Sequence, residues 1–186
     1  STRMVQILKK NTMRYTVIAI IVLFVAAIAI RYMYPYSALS INKKVEVDSY
    51  QTTSRYHNNL QKLSSHVPTL SEDEEYNEKI KAQVENVLAS SALNEKDVRK
   101  ADVLQLLNDM NGLVKSIGHH VRYQPEYFNE KQRSYLIAFK NHLQANSYNT
   151  NQIIEDSFSS NDEIVTSIHE LYKGMNQDIE ALLQLS

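Results

Sequence analysis

Six histidines are the residues of this chain best suited to hold a metal ion. Di-iron bundles use Glu-x-x-His, which places a carboxylate and an imidazole on one helical face, and zinc proteases use His-Glu-x-x-His. Neither spacing occurs here, and on a helix His119 and His120 would point their rings in different directions. The other four histidines can meet only through the tertiary fold. The sequence therefore predicts no metal site.

Nucleophilic and acid–base catalysis have no better support in the sequence. Ser40 and Lys43 have a Ser-x-x-Lys spacing, in which an amine deprotonates a hydroxyl, but neither the Lys-Thr-Gly nor the Ser-Asp-Asn partner motif occurs. Neighbouring carboxylates such as Asp162 and Glu163 fall at a predicted helix start, where the helix dipole accounts for them. We expect a non-enzymatic protein with no catalytic residues.

Composition narrows the classes of cofactor. The 186 residues include no Cys, which excludes disulfides, thiol nucleophiles, Cys-ligated zinc and iron–sulfur clusters. The three glycines are not spaced for a P-loop or a dinucleotide fingerprint. With only three prolines as well, the chain is too poor in turn residues for a β-rich fold. We expect no cofactor and an all-α protein.

A charge-free apolar stretch, TVIAIIVLFVAAIAI, occupies residues 16–30. As a helix it would measure about 22 Å, short of the ~30 Å hydrocarbon core. Flanking tyrosines at the interfaces and snorkelling arginines make up the difference. The sequence predicts a single transmembrane anchor over residues 15–36, with the lipid bilayer as a partner. The residues predicted to set the anchor in the membrane are Arg14, Tyr15, Arg31, Tyr32 and Tyr34.

Two alternatives to an anchor differ in strength. A cleaved signal peptide remains an alternative, and its best candidate cleavage site is residues 38–40, Ala-Leu-Ser. A buried core helix is disfavoured because the stretch is apolar on every face. Basic residues crowd the flank before the span, so residues 1–14 are expected in the cytoplasm and residues 40–186 outside it.

Apolar residues after the anchor recur with helical spacing. Tyr56, Leu60, Leu63 and Val67 form a stripe that ends at Pro68, and Ile41 and Val45 are expected to extend that helix toward the membrane. The segment Ser71 to Glu74 has the pattern of a capping box that begins a second helix.

Three further helices are expected in the second half of the chain. One begins at Asn94 or Asp97, has a candidate break at Asn111-Gly112 and ends at Gly118, before a connector over 119–124. The next starts at Pro125 and is followed by a polar turn over 146–151 and a short segment with Ile153, Ile154 and Phe158. The last has a capping box of Ser160 and Glu163. The sequence thus predicts an N-terminal transmembrane helix followed by an antiparallel bundle of four to five helices.

Charge and aromatic content suggest where a partner would bind. Residues 141–186 contain seven acidic side chains and one basic side chain, which disfavours nucleic acid. Twelve tyrosines, against four Phe and no Trp, supply more amphipathic rings than one core stripe needs, although most are expected in the core. The candidate partner surface comprises Tyr123, Tyr127, Tyr148, Asp162, Glu163, Glu170 and Tyr172.

Together these patterns predict a membrane scaffold or accessory subunit that binds one or more membrane or envelope proteins, with homo-oligomerisation left open. The alternative is a sensory or ligand-binding bundle. Because no second span or transmitter region is found, such a sensor would act through a partner membrane protein. One anchor before a helical bundle is similar in outline to the LemA-type membrane proteins, but their Asp-Leu-Ile-Pro-like signature is missing, so no family is assigned.

Overall fold

The computed structural model describes residues 2–38, 40, 43–47, 51–156 and 159–185, which are overwhelmingly helical. The all-α prediction is confirmed. Within the described residues there are seven α-helices, two short strands and one 3-10 turn. They are α1 Thr2–Met33, β1 Lys44–Glu46, α2 Gln51–Ser65, α3 Glu74–Leu88, α4 Ser91–Asn94, β2 Asp97–Arg99, α5 Lys100–Tyr123, the 3-10 turn Pro125–Tyr127, α6 Glu130–Glu155 and α7 Asn161–Leu183.

The five long helices after α1 form a bundle in the spatial order α2, α7, α6, α5, α3. Helices α5 and α6 are an antiparallel hairpin, and α7 runs back along α6, so that Lys131 Nζ donates to the Leu185 carbonyl at 3.3 Å. Helix α2 instead runs parallel to α7. Asn59 Nδ2 donates to Asn176 Oδ1 at 3.0 Å, and residues just after α2 line a cavity with Leu185.

The bundle core is built from the apolar stripes that the periodicity indicates. Most of the large apolar side chains that recur with helical spacing along α3, α5, α6 and α7 are fully buried, and burial of each stabilises the fold by roughly 1.5–3 kcal/mol. The stripe of α3 is buried throughout. It consists of Tyr76, Ile80, Val84, Val87 and Leu88.

Strands β1 and β2 pair as a small antiparallel sheet at the end of the bundle next to the C-terminus of α1, here called the anchor end. Val45 lies opposite Val98, and both side chains are fully buried. The expected helical extension through Val45 is therefore wrong, and Ile41 lies outside the described residues. The expected helix start at Asn94 or Asp97 is also wrong. Helix α5 begins at Lys100, because residues 97–99 are engaged in the sheet.

Several predicted breaks are absent because α5 and α6 are longer than expected. Helix α5 passes through Gly112 and Gly118 and includes most of the predicted connector. Helix α6 includes the predicted polar turn, where Asn146 and Thr150 are buried and the Thr150 hydroxyl donates to the Asn146 carbonyl at 2.7 Å. Thr150 thus satisfies its hydroxyl inside the helix, whereas the buried Ser147 hydroxyl makes no hydrogen bond with the described residues.

Helix starts depend on caps, and of the four starts predicted after α2, including that of α5 above, the sequence located one correctly. The Ser160–Glu163 capping box is present as predicted. Helix α3 is capped by Asp73 rather than Ser71, whose hydroxyl donates to the Tyr127 carbonyl at 2.9 Å. Pro125 begins the 3-10 turn, and α6 starts after Asn129. Ile153 and Ile154 lie in the last turns of α6, whereas Phe158 is outside the described residues.

Candidate functional site

Helix α1 contains one stretch, Thr12–Met33, that is long and apolar enough to cross a membrane. The mean hydropathy of this stretch, here called the apolar window, is 2.5. None of the apolar window is buried against the rest of the protein. The rings of Tyr15 and Tyr32 are exposed near its two ends, whereas Tyr34 is half-buried beyond the helix end. A helix that leaves so much apolar surface uncovered does not serve as a core helix of this bundle.

Residues 34–38, 40 and 43, here called the joint, connect α1 to the bundle. Tyr36 is buried and its hydroxyl donates to the Val98 carbonyl at 3.2 Å. Lys100 Nζ donates to the Tyr36 carbonyl at 3.2 Å, and Ser40 Oγ donates to the Arg31 carbonyl at 3.1 Å. The end of α1 is therefore held against β2 and the start of α5 by side chains.

A largely apolar groove of about 560 Å³ lies between α2 and α3. It forms because α2 packs mainly on α7 and α3 mainly on α5, so that the two helices at the ends of the order are not tightly joined. Its lining combines apolar side chains with a few polar ones. The lining residues are His57, Leu60, Gln61, Leu63, Ser64, Val67, Glu85, Leu88, Ala89 and Asn94.

A buried carboxylate lies in the C-terminal part of α7. Asp178 is only 2% exposed, and its Oδ1 lies 2.7 Å from Nδ1 of His142 on α6. Burial raises the pKa of Asp178 to about 6, while the hydrogen bond and charge of His142 oppose that rise. Oδ2 of Asp178 has no hydrogen bond to any described residue. Asp178 is therefore a candidate proton-binding group inside the bundle.

Two further polar clusters lie near Asp178, one buried and one partly exposed. The Tyr135 hydroxyl makes no hydrogen bond with the described residues, and burial together with the charge of Asp178 raises the pKa of Tyr135. Between α2 and α7, Glu180 Oε1 accepts hydrogen bonds from Asn59 and Asn176 and pairs with Arg55 at 2.7 Å. Sequence reasoning missed both clusters, because isolated polar residues on a helix do not reveal which face they occupy.

Among the described residues, no group of three His, Cys, Asp or Glu side chains is placed to hold an ion. The rings of His119 and His120 lie edge-on to one another, with centroids 5.2 Å apart and ring planes at 78°.

The predicted partner surface does not form one patch. Tyr123 and Tyr148 are strongly exposed, at 62% and 67%, whereas Tyr127 is half-buried against Tyr76. Tyr123 and Tyr127 lie at the end of the bundle away from the anchor, and Tyr148 lies on α6 in the half toward the anchor end.

The acidic residues of the predicted partner surface are exposed, but two of them also interact with nearby residues of α7 and its N-cap. Asp162 and Glu163 are exposed in the first turn of α7, where Glu163 completes the capping box. Glu170 is exposed and pairs with Lys173 at 2.5 Å.

The prediction is wrong for Tyr172. Its ring is 2% exposed and packs edge-on against Tyr56, with ring centroids 5.3 Å apart. The pKa of Tyr172 is raised to about 12 by this burial. A ring of this size at a helix–helix contact contributes more apolar area to the core than to a surface.

The described residues thus combine a helix of membrane-spanning length, a joint, an apolar groove and a buried carboxylate. The sequence grouped Leu60, Leu63 and Val67 as one stripe, but did not pair that stripe with the α3 side chains across the groove. Comparison with family models, curated proteins and solved structures found no match to this chain.

Proposed function

We propose that this chain is a non-enzymatic, single-pass membrane protein whose helical bundle binds another membrane or envelope protein, as a scaffold or accessory subunit. The observation that carries this proposal is the α2–α3 groove. Leu60, Leu63 and Val67 line it at three- and four-residue steps along one side. That spacing suits the apolar face of a partner helix, which binds by placing its own side chains between such residues.

The groove also has the anatomy of a protein-binding surface. Leu63 and Leu88 are buried at its base, whereas Leu60 and Val67 are only partly covered. Gln61 and Ser64 supply polar groups at its exposed side. An apolar centre with a polar edge is typical of specific interfaces.

Anchoring and orientation belong to the same proposal. The uncovered apolar window of α1 favours a helix held in lipid, with the bundle outside the cytoplasm because basic residues crowd the flank before the span. Sodium carbonate extraction of native membranes tests the anchor. The intact chain should stay in the pellet, and its recovery in the supernatant, or a mature form beginning near residue 41, would contradict anchoring.

Photo-crosslinking in native membranes tests the partner. With p-benzoylphenylalanine at Gln61 in the full-length chain, we expect a discrete adduct with a second protein. The matched control carries the same probe at Lys115, which is exposed on α5 outside the groove. The control should yield no such band. An identical band from both positions, or none from Gln61, would refute the groove as the binding surface.

A sensory or ligand-binding bundle acting through a partner is the second candidate. It is favoured by the groove volume of about 560 Å³, which falls within the ~300–1,000 Å³ of small-molecule sites. In the same experiment, this function predicts a small mass increase on the Gln61 probe peptide and no protein adduct.

A further inference from the structure

A second cavity, of about 260 Å³, lies between the joint and the first turn of α5. Three of its lining residues are cations and three carry hydroxyl groups. The polar side chains that line it are Tyr36, Ser37, Ser40, Lys43, Arg99 and Lys100. No acidic side chain is among the described lining residues. The cavity therefore has the chemistry of an anion site.

Two of its three cations are not neutralised by a described carboxylate. Arg99 forms two hydrogen bonds with Asp102, at 2.9 and 3.1 Å, and this pairing lowers the pKa of Asp102. Lys43 and Lys100 donate instead to backbone carbonyls and make no ion pair with the described residues. The described side chains around the cavity thus carry a net positive charge.

The same hydrogen bonds hold both ammonium groups in place. Lys43 Nζ donates to the carbonyls of Arg31 and Tyr32, each at 2.9 Å, and lies 5.1 Å from the centre of the Tyr32 ring. Lys100 Nζ donates to the carbonyl of Tyr36 at 3.2 Å. Because these side chains are already ordered, little conformational entropy remains to be lost when an anion binds.

The position of the cavity relative to α1 indicates the source of the anion. Lys43 reaches the last turn of α1, which ends at Met33, where the apolar window also ends. Lipid headgroups occupy the layer immediately outside the hydrocarbon core. A phosphate bound between Lys43 and Lys100 would lie in that layer.

We propose that this cavity binds the phosphate of an anionic phospholipid headgroup, fixing the height and tilt of the bundle above the bilayer. The proposal rests on the membrane anchoring in the proposed function, but not on the α2–α3 groove. Basic residues next to a membrane span attract anionic lipid, and two ordered ammonium groups add a defined phosphate position to that attraction.

Lipid selectivity of the full-length protein in neutral detergent tests the proposal. Native mass spectrometry would compare the affinity for dioctanoyl phosphatidylglycerol with that for dioctanoyl phosphatidylcholine. We expect at least tenfold preference for the anionic lipid. Lys100→Gln should weaken phosphatidylglycerol binding about fivefold, the effect of one basic residue near an anionic surface. Lys100→Arg should retain it, and Lys115→Gln, a charge removed elsewhere, should not alter it.

Equal affinity for the two lipids would overturn the proposal, and this comparison needs only the wild-type chain. Unchanged binding by a folded Lys100→Gln variant would overturn it as well. The remaining measurement is the affinity of the protein for inorganic phosphate. If it binds as tightly as phosphatidylglycerol, the site takes a soluble phosphate compound rather than a lipid. Loss of selectivity in a protein that still resists carbonate extraction would leave anchoring intact and reject this site alone.

Discussion

Nδ1 of His142 lies 2.7 Å from Oδ1 of Asp178, and the two residues differ sharply in exposure. The His142 side chain is 58% exposed, whereas that of Asp178 is 2% exposed. The imidazole therefore connects solvent to a carboxylate buried between α6 and α7. When Asp178 is ionised, the Nδ1–H group of His142 donates a hydrogen bond to Oδ1 of Asp178.

Asp178 should make the stability of the bundle depend on pH. Burial raises its pKa to about 6 from 3.8, so between those values the folded state holds a proton that the unfolded chain has lost. The contribution of Asp178 to the free energy of unfolding should therefore fall by about 3 kcal/mol as pH rises through that window. Denaturant unfolding at pH 4 and pH 7 measures it. Asp178→Asn should remove this component, and an unchanged pH dependence would contradict the assignment.

His142→Ala should shift the same titration upward. The hydrogen bond and charge of His142 lower the pKa of Asp178, so their loss leaves burial unopposed. Since His142 is largely exposed, its truncation creates no large cavity. Carboxyl carbon NMR of Asp178 reports the midpoint directly. A midpoint that falls or stays fixed in His142→Ala would show that the pair does not control the carboxylate.

Replacing each of two helical glycines with alanine should change the stability of the protein in opposite directions. At Gly112 a Cβ would meet nothing within 4 Å, so Gly112→Ala should stabilise α5 by up to about 1 kcal/mol. At Gly174 a Cβ would lie 2.7 Å from Oδ1 of Asn146, whose Nδ2 contacts the Met175 sulfur at 3.4 Å. Gly174→Ala should therefore cost about 1–3 kcal/mol. Thermal unfolding compares them, and an equal gain at both positions would rule out close α6–α7 contact.

Truncating Tyr172 and Tyr148 should cost very different amounts of stability, because one ring is buried and the other exposed. Tyr172→Ala removes a buried ring that packs on Tyr56 and should cost about 3–5 kcal/mol. Tyr148→Ala, at an exposed position on the neighbouring helix, should change stability by no more than about 0.5 kcal/mol. Urea midpoints at constant m-value give both numbers. Similar losses from the two variants would be inconsistent with the burial described.

Tyr36 should couple the anchor to the bundle. Tyr36→Phe removes the hydrogen bond to the Val98 carbonyl and should cost about 1 kcal/mol. Tyr36→Ala also removes the buried ring and should cost about 3–5 kcal/mol, with faster proteolysis within residues 34–43. Tyr123→Ala, at the far end of the bundle, is the control and should leave that cleavage rate unchanged. Equal cleavage in all three variants would mean that Tyr36 does not hold the joint.

Local patterns in the sequence were enough for the helical class, the apolar span and most core residues. The buried face of α3 follows from spacing alone, because residues three or four apart share a helical face. The capping box of Ser160 and Glu163 likewise involves residues three apart. Such features depend on neighbours along the chain, which the sequence displays directly.

Contacts between distant residues decided the rest. Val45 and Val98 pair although they lie 53 positions apart in the sequence. Strands β1 and β2 are each too short for alternation of apolar and polar residues to predict a strand. Asn146 and Thr150 resemble a turn until the packing of α6 places them inside the bundle. The burial of Asp178, the groove between α2 and α3 and the cations around the joint depend on which helices become neighbours. Helical periodicity determines which face of a helix is buried, but only the summed packing of all the helices determines what that face meets.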